Sequence, residues 1–152
     1  MIYLGADHKG WELKAKIEKW LSGRGIEFED MGAFEQDKGD DFVDFGIAVG
    51  QKVAENPEKN WGIVICGSGV GMDVVANKVK GIRCGLGFEV DQVYAARKDD
   101  NINVLAIAAD NTEEIKAFEL VEKFLETEFV KSENYQRRVE KISRYENGLT
   151  NN

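Results

Sequence analysis

Short apolar runs alternate with amphipathic segments along almost the whole chain, and this alternation restricts the fold more than any other property of the sequence. Residues 1–6, 26–28, 61–65, 82–86 and 104–109 are short and apolar enough to be strands. Between them, apolar residues recur at helical spacing. Leu13, Ile17, Trp20 and Leu21 do so before Gly23 and Gly25, and Phe42, Phe45, Ala48, Val49 and Val53 do so before Pro57. Segments 72–79 and 90–97 supply two more helices, and the longer stretch 113–128 another, with Ala117, Phe118, Leu120, Val121 and Phe124 on one face. Five strand–helix units with short connections predict an α/β architecture, a five-stranded parallel sheet covered by helices on both faces. The run 61–65 is apolar almost without interruption, as a strand covered on both faces requires.

Residues 1–130 are expected to form one α/β domain. In residues 131–152 a last helix, over 135–145, carries Val139 and Ile142 among Arg, Lys and Glu. No sheet position remains for it, which predicts that it packs on a partner subunit, with residues 146–152 frayed. The 152 residues are 43% apolar and 32% charged, a balance that suits one soluble globular domain. The net charge of -8, from 20 Lys plus Arg against 28 Asp plus Glu, argues against a nucleic acid or an anionic membrane as partner. No apolar run approaches the roughly 18 residues of a membrane span, and the N-terminus lacks a basic-then-apolar signal, so the expected location is cytoplasmic. Cys66 and Cys84 are therefore expected as free thiols, and with a single histidine they are too few for a structural zinc site.

Residues 62–77, GIVICGSGVGMDVVAN, place Cys66 at the end of the third strand, directly before a glycine-rich turn and a helix start. Successive N–H groups from Gly67 through Ser68, Gly69, Val70 and Gly71 can cradle an oxyanion or a phosphate, and the glycines let a ligand approach the backbone closely. A following helix N-terminus favours a thiolate, which serves as nucleophile or general base. A cysteine in an aliphatic strand is equally a small core residue, and the glycines are what weigh against that. The spacing is not GxGxxG and no GK[ST] follows, so a dinucleotide site is the lesser reading and a P-loop is excluded. Asp7 and His8 close the first strand, where a doubly wound sheet places ligand contacts. His8 is the only histidine, a residue that elsewhere is often structural, and Cys84 in IRCGLG reads as buried and inert. Arg137 and Arg138 are either solvated or arginines that complete an anion site in a neighbouring subunit.

The motifs GADHKGWELK, DDFVDF, GIVICGSGVGM, VANKV with GIR, NINVLAIAA and QRRVEKI occur in that order over residues 1 to about 143. Together they resemble the ribose-5-phosphate isomerase B family, which includes the subunits of galactose-6-phosphate isomerase. The resemblance implies a Rossmann-like three-layer fold and a homodimer, or a tetramer, with active sites between subunits. It implies interconversion of aldose and ketose phosphates through an enediolate, without metal or organic cofactor. Cys66 would be the base that moves the proton between C1 and C2, and Ser68 would bind or polarise the sugar oxygens. Asp7 and His8 would contact the sugar, and the N–H groups of residues 67–71 would stabilise the enediolate. Asn77, Asp41 and Asn103 fall on matched positions with structural or substrate-adjacent roles.

The chain departs from that pattern at several positions. The family's His-Asn-Asp before Asn103 reads Asp99, Asp100, Asn101 here, so ring opening would need Asp99 in place of the histidine or a substrate that arrives in the open form, and Asn101 becomes a substrate-binding candidate. Asp110 stands where an Arg is expected, Asn134 and Tyr135 replace an Arg-His pair, and Phe42 and Val43 replace Tyr-Pro, while Arg138 remains in register. Aspartate in place of arginine turns attraction for a phosphate into repulsion. The expected activity is a cofactor-independent aldose–ketose isomerase of a sugar phosphate. The alternatives are isomerisation of an unphosphorylated or atypical sugar, and a non-catalytic sugar-binding subunit of a heteromeric isomerase. Retention of Cys66 and Ser68 favours the enzyme.

Overall fold

In the computed structural model, which describes residues 1–149, the most continuously apolar segments take the middle of the sheet. Strand β3 (Trp61–Cys66) pairs with β1 (Ile2–Ala6) on one side and β5 (Val104–Ala108) on the other. Outside them lie β2 (Phe28–Asp30) next to β1 and β4 (Cys84–Gly87) next to β5, so the order is β2-β1-β3-β5-β4 and every pairing is parallel. The helices are α1 (Trp11–Gly23), α2 (Phe42–Ala54), α3 (Val70–Ala76), α4 (Val90–Asp100), α5 (Glu114–Glu126) and α6 (Glu133–Glu146). None is long and apolar enough to cross a membrane.

Because side chains alternate along a strand, each central strand feeds two cores. Leu4, Ile63, Ile65, Leu105 and Ile107 pack with Leu13, Ile17 and Leu21 of α1, Val93 of α4 and Ala117, Leu120 and Phe124 of α5. Tyr3, Val64, Cys66, Val104 and Ala106 face the other way, onto Val49 and Val53 of α2 and Met72 and Ala76 of α3. The expected three-layer, Rossmann-like fold is thus formed, and the Cys66 side chain belongs to the layer of α2 and α3.

Several boundaries differ from expectation. After α1, the Ile26 N–H bonds back to Leu21 O and the Gly25 N–H to Ser22 O, with Gly25 at φ 68°, so the chain is still closing a helix where a strand was expected to begin. Strand β2 starts only at Phe28. Strand β4 starts at Cys84 rather than Ile82, because the Arg83 N–H donates to the Asn103 side chain instead of to a ladder partner. Helix α3 begins at Val70, two residues early, and ends at Ala76. Helix α4 runs on through Asp99 and Asp100 to Asn101, whose left-handed φ of 52° ends it.

Helix α6 follows the expected tail helix within two residues and buries none of its side chains. The expected frayed end lies partly outside the described residues, which stop at 149; within them, Gly148 bonds back to Tyr145 O and Leu149 to Arg144 O.

Candidate active site

The strand order places a switch point between β1 and β3, since the chain leaves β1 toward β2 on one side and reaches β3 on the other. Crevices at the carboxyl ends of two such strands are where open α/β sheets bind ligands. Asp7 follows β1 there, its N–H donating to Ile65 O at 3.2 Å, and Cys66 ends β3 beside it. Gly10 permits this approach, because a Cβ on it would meet Ile65 O at 2.5 Å.

The turn after Cys66 is constrained on every side. Gly69 has φ 73°, and a Cβ there would lie 2.5 Å from Leu86 Cδ1 and 3.0 Å from the Ala108 nitrogen. A Cβ on Gly71 would meet the Phe42 ring at 2.9 Å. In α3 the first N–H to bond backwards outside the helix proper is that of Asp73, to Gly69 O at 3.0 Å. The N–H groups of Val70, Gly71 and Met72 precede it, without an intrahelical acceptor, and are available to an anion. Cys66 is 5% exposed and Ser68, at the tip of the turn, is exposed, so the thiol lies beneath a rim that carries a hydroxyl.

Asp7 is partly committed to structure. Its Oδ1 accepts from the N–H groups of Lys9 and Gly10, both at 3.0 Å, which closes the turn leading into α1. His8 is half-buried and its Nδ1 lies 2.6 Å from Oδ1 of Asp40, in the loop between β2 and α2. The next residue, Asp41, caps α2 by accepting from the Val43 N–H at 3.0 Å. Lys9 crosses the glycine turn, and a Cβ on Gly67 would meet Lys9 Cδ at 2.6 Å and Asp110 Oδ2 at 2.7 Å. Lys9 Nζ donates to that Asp110 oxygen at 3.0 Å, and the contact raises the lysine pKa, with smaller contributions from Asp7 and Cys66. The Asp110 that replaces an expected arginine is thereby matched by a cation.

The remaining predicted residues do not join this group within one chain. Asp99 and Asn101 end α4, which runs back across the sheet to the edge where the strands begin. Arg97, beside them, stacks 4.4 Å from Trp61, the first residue of β3. Asp99 pairs with Lys98 at 3.4 Å. Asn101 Oδ1 accepts from Arg97 at 3.0 Å and its carbonyl from Arg83 Nε at 2.7 Å, so in this chain it is a helix cap rather than a free ligand. Burial, with Arg83 nearby, lowers the Arg97 pKa to about 10. Helix α6 sits at the same edge: the Val130 N–H bonds to Lys98 O, and Glu146 accepts from the Gly81 N–H. Arg138 on that helix is exposed, 5.9 Å from the Tyr135 ring.

Among the other matched positions, Asn77 bonds to both the N–H and the carbonyl of Cys84, and Asn103 to the Arg83 N–H and Gly81 O, which makes both structural. Cys84 begins β4 instead of lying in mid-strand, and burial, reinforced by Asp73, pushes its thiol pKa well up. No group of three or more His, Cys, Asp or Glu among the described residues could hold a metal ion. Sequence reasoning missed Lys9, although it adjoins the Asp7–His8 pair, and it missed Asp40, for which no local signal exists.

A family model described as Ribose/Galactose Isomerase matches residues 2–142. A protein named probable ribose-5-phosphate isomerase B from Mycoplasma genitalium is 37% identical over 145 residues, covering 95% of each chain. Ribose-5-phosphate isomerase B of Mycobacterium tuberculosis strain H37Rv is also 37% identical, over 95% of this chain and 89% of that one. Among solved structures, the Mycoplasma genitalium enzyme with bound ribulose-5-phosphate superimposes with a TM-score of 0.92, covering 96% of this chain and 95% of that one at 37% identity. The Thermotoga maritima ribose 5-phosphate isomerase superimposes with a TM-score of 0.88 at 35% identity, over 94% of this chain and 97% of that one. With nearly the whole length matched in sequence and in fold, the chain belongs to the ribose/galactose isomerase family.

Proposed function

We propose that the protein is an aldose–ketose isomerase of the ribose-5-phosphate isomerase B type, acting on a sugar phosphate by enediolate proton transfer. The observation that carries the mechanism is the placement of the Cys66 thiol immediately before the N–H groups of the glycine turn. In an open-chain aldose, the Cys66 thiolate takes the proton from C2. The C2–H electrons form the C1–C2 double bond, and the carbonyl electrons pass to O1. The resulting oxyanion is held by N–H groups of residues 67–71, donors already aimed where the charge develops. Ser68, at the tip of the turn, relays the proton between O1 and O2, and the thiol returns its proton to C1. Every proton in this sequence moves through groups of the chain or the sugar.

Phosphate recognition follows from the division of the residues over two edges of the sheet. Arg138 and Asp99 lie opposite their own Cys66, and α6 presents an uncovered face that includes Val139 and Ile142. Two copies packed through α6, as a homodimer or within a tetramer, bring the Arg138 edge of one to the Cys66 edge of the other. Lys9 supplies a second cation, from the same chain as Cys66. Its pairing with Asp110 supports one other reading, an atypical or unphosphorylated sugar, because the lysine's charge is already offset by that carboxylate.

The test is deuterium exchange from heavy water into the carbon-bound positions of pentose and hexose substrates, with and without phosphate, followed by NMR. Exchange into a sugar phosphate that is lost in Cys66→Ala is expected. Exchange only into free sugars would select the second reading, and persistence of exchange in Cys66→Ala would remove the thiol from the mechanism.

A further inference from the structure

A sugar phosphate that isomerises through an enediolate must first be an open chain, and an aldopentose phosphate in water is mostly a closed ring. Asp99 stands where ring opening would be placed by family pattern, in the last turn of α4, on the edge that the dimer proposed above would bring to the partner's Cys66. Carboxylates as a class are ionised near neutral pH and then have no proton to donate. A histidine can both give and take a proton in that range, and the chain has one.

That histidine is held on one side only. Nδ1 of His8 lies 2.6 Å from Asp40 Oδ1, and the Asp40 side chain is 8% exposed. The other Asp40 oxygen is buried without a hydrogen-bond partner among the described residues, so His8 is the carboxylate's single side-chain commitment. An ionised carboxylate only accepts, so Nδ1 carries a proton and Nε2 is the nitrogen left to meet a ligand. The ring is 27% exposed, open enough to be reached and enclosed enough to be oriented. His8 follows Asp7, whose N–H bonds to Ile65 O, one residue before Cys66. The loop that carries Asp40 continues into Phe42, whose ring covers Gly71 of the cradle.

We propose that His8, oriented by Asp40, is the group that opens the sugar ring before Cys66 acts. The proposal rests on the aldose–ketose isomerase reading. The protonated imidazole gives its Nε2 proton to the ring oxygen as the bond from that oxygen to C1 breaks. The O–H electrons of the anomeric hydroxyl become the C1 carbonyl, and its proton passes to water. Water then returns a proton to Nε2, so the sugar gains and loses one proton and nothing is oxidised or reduced. Asp40 fixes the tautomer and offsets the charge the ring carries, as a buried carboxylate does for a catalytic histidine.

The test compares two reactions of the full-length protein. Ribulose 5-phosphate cannot close a five-membered ring, so uptake of deuterium at its C1 needs only Cys66 and the cradle. Conversion of ribose 5-phosphate needs ring opening as well. In His8→Gln, any loss of sugar contact is common to both reactions, and ribose 5-phosphate conversion is expected to fall by roughly 10²–10⁴-fold more than deuterium uptake into ribulose 5-phosphate, the range for loss of a general acid–base group. The residual conversion should reach a ceiling independent of enzyme concentration, set by spontaneous ring opening in solution. Asp40→Asn keeps a hydrogen-bond acceptor for Nδ1 and should show the same selectivity with a smaller loss, which preserves the test if His8→Gln does not fold. Equal loss of both reactions in a folded variant, loss of neither, or selective loss in Asp99→Asn instead would each overturn the proposal. If the unmodified protein exchanges neither substrate, the isomerase reading fails and the proposal falls with it.

Discussion

Replacing Gly69 by alanine probes the turn on which the site depends. The backbone at φ 73° is left-handed, which costs an L-residue with a Cβ about 1–2 kcal/mol. The new Cβ would also lie 2.5 Å from Leu86 Cδ1, 3.0 Å from the Ala108 nitrogen and 3.1 Å from the Ile107 carbonyl carbon. Leu86 can rotate away, but the β5 backbone is paired on both sides and cannot, so overpacking adds about 1–3 kcal/mol. The sum, roughly 2–5 kcal/mol, is a large part of an ordinary domain stability of about 5–15 kcal/mol, and the variant should still fold. Gly23→Ala is the contrast: nothing lies within 4 Å of its added Cβ, and its backbone is helical. There the change should be neutral or stabilising by up to about 1 kcal/mol, since alanine is the better helix former. Urea unfolding of the three proteins, with the slope held common, gives both differences. A Gly69→Ala loss no larger than about 0.5 kcal/mol would refute the reasoning, because neither the strain nor the clash would then exist. Exchange activity of the folded Gly69→Ala protein should fall as well, since the N–H groups on either side of the residue would be displaced.

Two further outcomes follow from the ion pairs and from the division of the site. Burial, followed by repulsion from Asp30, raises the Glu18 pKa above its ordinary 4.5 despite Lys14 nearby. A raised carboxyl favours the folded state while protonated and loses that contribution as pH rises through its folded value, so Glu18→Gln should raise the urea midpoint at pH 7, with the gain vanishing below about pH 4.5; an equal gain at both pH values would show that charge is not the cause. Co-expression of Cys66→Ala with Arg138→Ala should restore one intact site per mixed dimer, about a quarter of the unmodified rate if subunits mix at random. No recovery over either variant alone would place the two residues in the same site of a single chain.

How much of this protein could be read from its residues depends on the range of the physics involved. The alternation of apolar runs specified five parallel strands and two helical layers, because burying one face of each element is a local pattern with a period of 2 or 3.6. The Cys66–glycine turn was legible for the same reason: strand end, glycines and helix start are contiguous, and the left-handed Gly69 lies among them. Errors at β2, α3 and β4 came from hydrogen bonds that hydropathy does not encode, such as the Ile26 N–H closing α1 and the Arg83 N–H taken by Asn103.

Only the tertiary structure decided which charges meet. Asp40 reaches His8 across 32 residues and Asp110 reaches Lys9 across 101, because the segments that follow β1, β2 and β5 converge at one edge of the sheet. The same geometry separated residues that motif matching had grouped: α4 follows a parallel strand and must run back, so Asp99 and Asn101 end at the edge opposite Cys66, and α6, which carries Arg138, is tied to that edge through Glu146 and Gly81. The sequence by itself determined the fold class and the turn that follows Cys66 through contiguous patterns. The orientation of the histidine, the neutralisation of Asp110 and the division of the site over two edges arise from contacts between distant segments, which exist only once the sheet has formed.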